Sequence, residues 1–362
     1  MLGIRLNQTL AGLAMAALLS PAEAQDYQIE TLASGLDKPW SIAEIGEGDY
    51  LVTEKTGRLL RLSDSGEIRT ISGTPAVYYA NQGGLLEVSL HPDFAENALV
   101  YLSLAGGDAA QNRTTIVRGV LSGDTLEETE TILEVSPDKA TAAHYGGRLA
   151  WLPDGTLLVS VGDGFVHREE AQNLDKEFGK LLRIHADGSP PADNPFPDRA
   201  PRVFSYGHRN PQGLLYDAVS NRILMHEHGP KGGDELNHIQ AGKNYGWPAI
   251  TYGVDYSGAV ISPFTEAPGM EQPLRYWVPS IGPSGLALYA GDDFPDWEGD
   301  VLLGSLIDRQ VRRLELEAGQ VISDSPVFPE VSGRVRDIRV LKDGAIVVVT
   351  DEGEVFRISR PS

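Results

Sequence analysis

A turn followed by a short β-rich run recurs six times along this chain, and that repetition limits the architectures open to it. The units run from Gly46 to Leu62, His91 to Gly106, Pro153 to Gly164, Ser220 to Pro230, Gly299 to Leu316 and Lys342 to Ile358. Turns rich in Asp, Asn and Gly join β-branched stretches in them, as hairpins require. Apolar runs such as Leu157-Leu158-Val159 and Ile346-Val347-Val348-Val349 suit strands and are too short for helices. Nothing long carries a clean helical period. Six strand units at unequal spacing predict an all-β, six-bladed β-propeller with four-stranded antiparallel blades, on the order of 55 residues per blade. A β-sandwich is the rival, but it would be unusually large as one domain. The stretch Tyr27 to Leu32 should pair with the last blade and close the ring, because an open ring leaves sheet edges unpaired. Pro190 to Pro201 reads as a long surface loop, so residues 25–362 are expected to form one domain.

Residues 1–24 read as a cleaved signal peptide: Arg5 supplies a positive start, Leu10 to Leu19 a short apolar core, and Ala22-Glu23-Ala24 a cleavage site. The apolar run is shorter than the roughly 20 residues of a spanning helix. The expected location is periplasmic or secreted, and the chain is not expected to span a membrane. It has no cysteine, so no disulfide framework replaces core burial. A formal charge of −21 argues against nucleic acid as a partner. It is compatible with a divalent cation, and equally with acidity that serves solubility.

The polar chemistry gathers in loops. Residues 204–248 hold four of the eight histidines, with Arg209-Asn210 and a run of glycines. A guanidinium beside an amide can clamp a planar polar ligand or a developing negative charge. Gln82 precedes Gly83-Gly84, and His144 lies just before Gly146-Gly147, where backbone can approach a ligand closely. Taken alone, His144 is as a type more often a structural histidine than a base. His226-Glu227-His228 lacks the HExxH spacing of a zinc site; on a strand, the two histidines would face one side and Glu227 the other. The loops 232–237 and 242–248 offer the hard oxygen donors that calcium takes, without EF-hand spacing. Acidic loops capped by their own amides remain the alternative.

Several long motifs occur in one order: KPWSIAEI from Lys38, QGGLLEVSLHPDF from Gln82, HYGGRLAWLPDG from His144, GHRNPQGL from Gly207, EHGPKGGDELN from Glu227, NYGWP from Asn244, PSIGPSGLALY from Pro279 and RVRDI from Arg334. Through them the chain resembles the soluble pyrroloquinoline-quinone (PQQ) dependent sugar dehydrogenases, the glucose and sorbosone dehydrogenase family, in particular its periplasmic aldose sugar dehydrogenase branch. The resemblance implies PQQ over the propeller centre and calcium beneath it. It implies His144 as general base for the anomeric hydroxyl and Arg209, with Asn210 beside it, stabilising charge on the reduced quinone. Gln82, Tyr256, Arg334 and Arg336 match cofactor-contacting positions, the two arginines by pairing with its carboxylates. The carbonyls of Gly229 and Pro230 match one calcium site; Glu235 and the Tyr245 carbonyl match a second, with Asp234 a neighbour of the ligands.

In one place the chain departs from the family. Ile307 and Asp308 stand where the family usually carries a lysine that contacts PQQ, and Arg309 is the nearby residue that could substitute. The substrate implied is an aldose oxidised at C1, with an onward electron acceptor such as a quinone or cytochrome, in a monomer or dimer. A calcium-dependent hydrolase or lactonase, or a non-catalytic sugar-binding propeller, are the alternatives on the same fold. No Rossmann fingerprint points to a nicotinamide.

Overall fold

The structure, a computed structural model, describes residues 27–361, so the signal-peptide reading lies outside the described residues. Six four-stranded antiparallel sheets follow one another: residues 39–71, 85–134, 149–206, 211–277, 283–327, and a sixth of residues 335–359 completed by Gln28–Ala33. That last strand pairs antiparallel with Val355–Ser359, Ile29 opposite Ile358, and closes the ring as expected. Each of the six sequence units falls in a different blade. Helix is confined to Phe94–Asn97 and two short 3-10 turns among the described residues, and no helix is long and apolar enough to cross a membrane.

The apolar runs are explained by where the sheets sit. A blade inside the ring has a neighbour on both faces, so its inner strands are buried on both sides and lose the usual polar alternation. In Ile346–Thr350 all five residues are buried. Val347 and Val349 pack with Ile42, Tyr50 and Val52 of the first blade, while Ile346 and Val348 pack with Leu302 and Val311 of the fifth. Successive side chains therefore serve two different inter-blade cores, as a period of two demands. Outer strands are blunter. Thr125–Glu134 presents a run of exposed residues, 127–131, with three glutamates, which discourages edge pairing.

Polar groups close the axis. The Arg148 guanidinium donates to Glu87 at 2.7 Å, to Asp337 at 2.8 Å and to the Gln212 carbonyl at 2.7 Å, and lies 4.0 Å from the Trp40 ring centre. Buried charges are tolerable only when paired and hydrogen-bonded in this way.

Antiparallel alternation positions the site. The entrance to the first strand of a blade and the turn leaving its second strand lie at the same end. Gln82, His144, Arg209, Asn210 and Arg334 stand at first-strand entrances; Gly229, Pro230 and Ile307 follow second strands, with Glu235 opening the third. Tyr245 and Tyr256 come from the long segment 240–274, which is anchored to the third blade where Tyr245 N donates to the Tyr206 carbonyl at 2.9 Å.

Candidate active site

His144 sits in left-handed backbone with φ 53°, a conformation that costs a residue with a Cβ on the order of 1–2 kcal/mol. Two contacts hold it. Its N–H donates to Gln82 Oε1 at 2.7 Å, and its ring Nδ1 lies 2.6 Å from Asp163 Oδ1. The glycines that follow are needed: a Cβ on Gly146 would come within 2.6 Å of the Ser160 carbonyl oxygen. The imidazole is thereby pinned against the turn that follows Leu157–Val161 and carries Asp163.

Asp163 was not singled out in the sequence, where it is part of a Gly-Asp-Gly turn. Its Oδ1 also accepts from Phe165 N at 2.7 Å, and its Oδ2 from Trp247 Nε1 at 2.8 Å. Burial works against its charge, but the bond and charge of His144 and the Arg209 charge outweigh it, so its pKa lies below the usual carboxylate range. An ionised Asp163 accepts, which makes Nδ1 the protonated nitrogen. Burial also holds His144 below the ordinary imidazole value, with Asp163 pushing back and Arg209 and Lys139 adding to the depression. The product is a neutral imidazole whose Nε2 has no hydrogen-bond partner among the described residues. The ring meets Phe165 edge-on at 5.1 Å, and that half-exposed phenyl stacks with Tyr256 at 6.4 Å.

A cavity of about 760 Å³ opens at this end of the axis, a size suited to a cofactor with its substrate. Gln82, Asn210 and Tyr256 line it, as do Gly229 and Pro230, Arg334 and Arg336, and Ile307. His144 and Arg209 are both buried just behind this wall and are not part of it; Tyr145, next to His144, and Asn210, next to Arg209, are. Trp40, Leu86 and Tyr145, which pack with Ala105 in one apolar cluster, also line the cavity.

Arg209 faces carbonyls. Its Nη1 donates to the His228 carbonyl at 3.0 Å and the Gly229 carbonyl at 2.6 Å, and its own N–H donates to Glu227 Oε2. The loop can turn these carbonyls together because residue 229 lacks a Cβ, which would lie 2.3 Å from the Gly232 carbonyl oxygen. Asp234 is spent inside the loop: it accepts from Gly229 N, Ser280 Oγ, Ile281 N and Gly282 N. It is thus a brace for the 228–234 loop. The strand Arg222–Glu227 ends before His228, whose Nε2 lies 2.6 Å from the Pro283 carbonyl, while the Glu227 carboxylate turns to His208 Nδ1 and the Arg209 N–H.

Glu235 and Tyr245 meet away from that cavity, around a second, very small one of about 10 Å³ shared with Glu227, Arg209 and Thr251. Burial and the charge of Glu227 push the Glu235 carboxyl up to about 8. Two carboxylates held together without a counter-ion raise one of their pKa values, and a cation relieves this. The donors fit a hard cation such as calcium, which takes carboxylates and carbonyls together. No group of three or more His, Cys, Asp or Glu side chains gathers for a metal among the described residues. Any cation here would therefore depend on backbone oxygens.

Two expectations change. Arg309 does not take the place of the absent lysine: its Nη2 donates to Glu352 at 2.6 Å, and it is not on the cavity wall. The turn after the second strand of blade five points it at the neighbouring acidic turn. Arg334 and Arg336 do reach the cavity, but both also pair with Asp351, at 3.0 and 2.7 Å, a carboxylate that the sequence reading passed over as part of a turn.

A family model described as Glucose / Sorbosone dehydrogenase matches residues 36–357. The aldose sugar dehydrogenase YliI of Escherichia coli is 38% identical over 91% of this chain and 92% of its own length. The quinoprotein glucose dehydrogenase B of Acinetobacter calcoaceticus is 32% identical over 68% of this chain and 57% of its own. Among solved structures, the PQQ-bound form of the aldose sugar dehydrogenase of Streptomyces coelicolor superposes with a TM-score of 0.76 at 28% identity, covering 93% of this chain and 99% of that one.

Proposed function

This chain belongs to the glucose / sorbosone dehydrogenase family, and from that premise we propose that it is an exported, PQQ-dependent dehydrogenase that oxidises aldoses at C1 to lactones. The observation that carries the reading is the buried His144–Asp163 pair, with an unengaged Nε2, set just behind the wall of a cofactor-sized cavity that Tyr145 lines.

In this reading His144 Nε2 takes the proton of the anomeric hydroxyl. The Asp163 carboxylate keeps the ring in the right tautomer and balances the imidazolium that forms. Bound PQQ would supply the two-electron acceptor for the C1 hydride, and bound calcium the Lewis acid that polarises its quinone carbonyl. The carbonyls of Gly229 and Pro230 would hold that calcium; in their support, the Gly229 carbonyl already faces a positive group, the Arg209 guanidinium. Arg209 and Asn210 offer fixed donors where negative charge develops. Arg334 and Arg336 hold anionic groups of the cofactor, and Gln82 acts through its bond to the backbone of His144. Glu235 and the Tyr245 carbonyl hold a second cation that braces the loop. The phenyl of Phe165 excludes water from the base. A quinone or cytochrome would be the onward electron acceptor.

The test is a titration of metal-free protein with PQQ, with and without calcium, followed by dye reduction over a panel of aldoses. Saturable, calcium-dependent binding with sugar-dependent reduction is expected. Absence of both would refute the assignment, and a lactone panel would then test for a calcium-dependent hydrolase.

A further inference from the structure

If the cofactor reading above holds, the cavity must meet several carboxylates with cations, and Ile307, 56% exposed on its wall, brings only hydrocarbon. Neighbouring residues do not repair the loss from the same turn. Asp308 pairs with Arg312 at 3.2 Å and Arg309 with Glu352.

Across the wall the charges do not balance. Arg336 donates to Asp351 through Nε at 2.7 Å and Nη2 at 2.9 Å. Arg334 shares the same carboxylate at 3.0 Å and gives Nη1 to the Leu306 carbonyl at 3.1 Å. One carboxylate thus faces two guanidiniums. Lys55, in the turn after the second strand of blade one, lines the same cavity. Its Nζ donates to the Asn81 carbonyl at 2.6 Å and forms no ion pair among the described residues. Burial first, then the Arg336 and Lys38 charges, push its pKa down to about 8 against the opposing pull of Asp351, so the ammonium sits among cations that share one carboxylate. A half-buried cation beside two others is costly unless an anion joins them.

We propose that Lys55 is a cofactor-binding residue, its ammonium pairing with a carboxylate of PQQ and serving, from blade one, the part of the family lysine that Ile307 and Asp308 replace in blade five. Lys231 is the other lysine on the wall, but it is exposed and has no comparable neighbourhood. Water already solvates it, so an added anion gains little there.

Lys55 is separated from Lys231 by fluorescence titration of the calcium-loaded full chain with PQQ at low salt, reading tryptophan quenching, since Trp40 lines the cavity. K55Q should raise the Kd by about tenfold or more, the usual weight of a charge-assisted bond. K55R should keep most of the affinity, K231Q should change it by less than about threefold, and I307K in the K55Q background should restore it. Restoration separates a lost contact from a damaged fold. Saturable wild-type binding with an unchanged Kd in K55Q would overturn the assignment to Lys55 alone. Equal weakening by K55Q and K231Q would overturn it too, because the effect would then be general charge. No saturable binding by the wild type would overturn the PQQ reading together with it.

Discussion

The molecule contains two buried histidine–carboxylate pairs built from the same parts, His144–Asp163 at 2.6 Å and His208–Glu227 at 3.0 Å. They differ in what the other imidazole nitrogen does. His208 Nε2 lies 2.8 Å from Ser205 Oγ, and its ring stacks on Tyr245 at 4.8 Å, so every polar atom is used and the residue is wholly buried. His144 leaves Nε2 unengaged, keeps a strained backbone and lies just behind the cavity wall, next to Tyr145 on it. A histidine that has spent both nitrogens is a tie between elements; one that has spent a single nitrogen on a carboxylate is ready to move a proton. A short distance to a carboxylate does not tell the two apart.

Replacing each member in turn should break this comparison in a fixed order. H144Q should leave PQQ binding intact and lower turnover by about 10²–10⁴-fold, the span of a positioned base; unchanged turnover would take His144 out of the chemistry. D163N should lower turnover by about 10–100-fold, because it removes the partner that fixes ring and tautomer. It should also move the acid limb of the rate profile. Asp163 raises the His144 pKa against burial, so its loss shifts that limb to still lower pH. A limb that moved upward would contradict the assignment. In the wild type, turnover should stay flat as the pH falls through 6.5, the ordinary imidazole value, and decline only in more acidic solution. H208Q should reverse the pattern, costing about 1–3 kcal/mol of stability in urea unfolding through the buried groups left unpaired. Its turnover should change little at saturating PQQ. A large turnover loss with unchanged stability would mean that the second pair is also chemical.

How much of this could be read from residues alone follows from what each signal records. The blades were legible because burial on both faces writes itself into unbroken apolar runs such as Ile346–Thr350. The closing strand was legible because an unpaired edge has to be paired. His144, Gln82 and Arg209 stand in long motifs beside glycines, and the structure brings them to one end of the axis. Asp163 and Asp351 were hidden because an acidic residue in a glycine-containing turn reads as turn chemistry, and Glu227 because it stood in a failed metal motif. All three stand at or just after the end of a second strand, and that shared place in the repeat was the signal available. Arg309 failed for a related reason. Nearness in sequence put it beside the missing lysine, but the turn directs its guanidinium to Glu352.

The second pair has a further difference that a smaller effect can sharpen. Asp163 is surrounded by donors and a guanidinium, whereas Glu227 shares its small cavity with another carboxylate, Glu235, whose pKa is pushed to about 8 by burial and by Glu227. Between the ordinary 4.5 and about 8 the folded chain therefore holds a proton at Glu235 that the unfolded chain has released. Stability from this group is fully present below 4.5 and is lost as the pH rises through about 8. A cation bound by Glu235 and the Tyr245 carbonyl replaces that proton, so calcium should stabilise more at pH 8 than at pH 5, by about 2 °C or more in Tm. E235Q should flatten the pH dependence of the metal-free protein and remove the pH-dependent part of the calcium gain. An equal calcium gain at both pH values in the wild type would show that no cation competes with this proton, and the acidic cavity would then be a brace built from Glu227 and its neighbours alone.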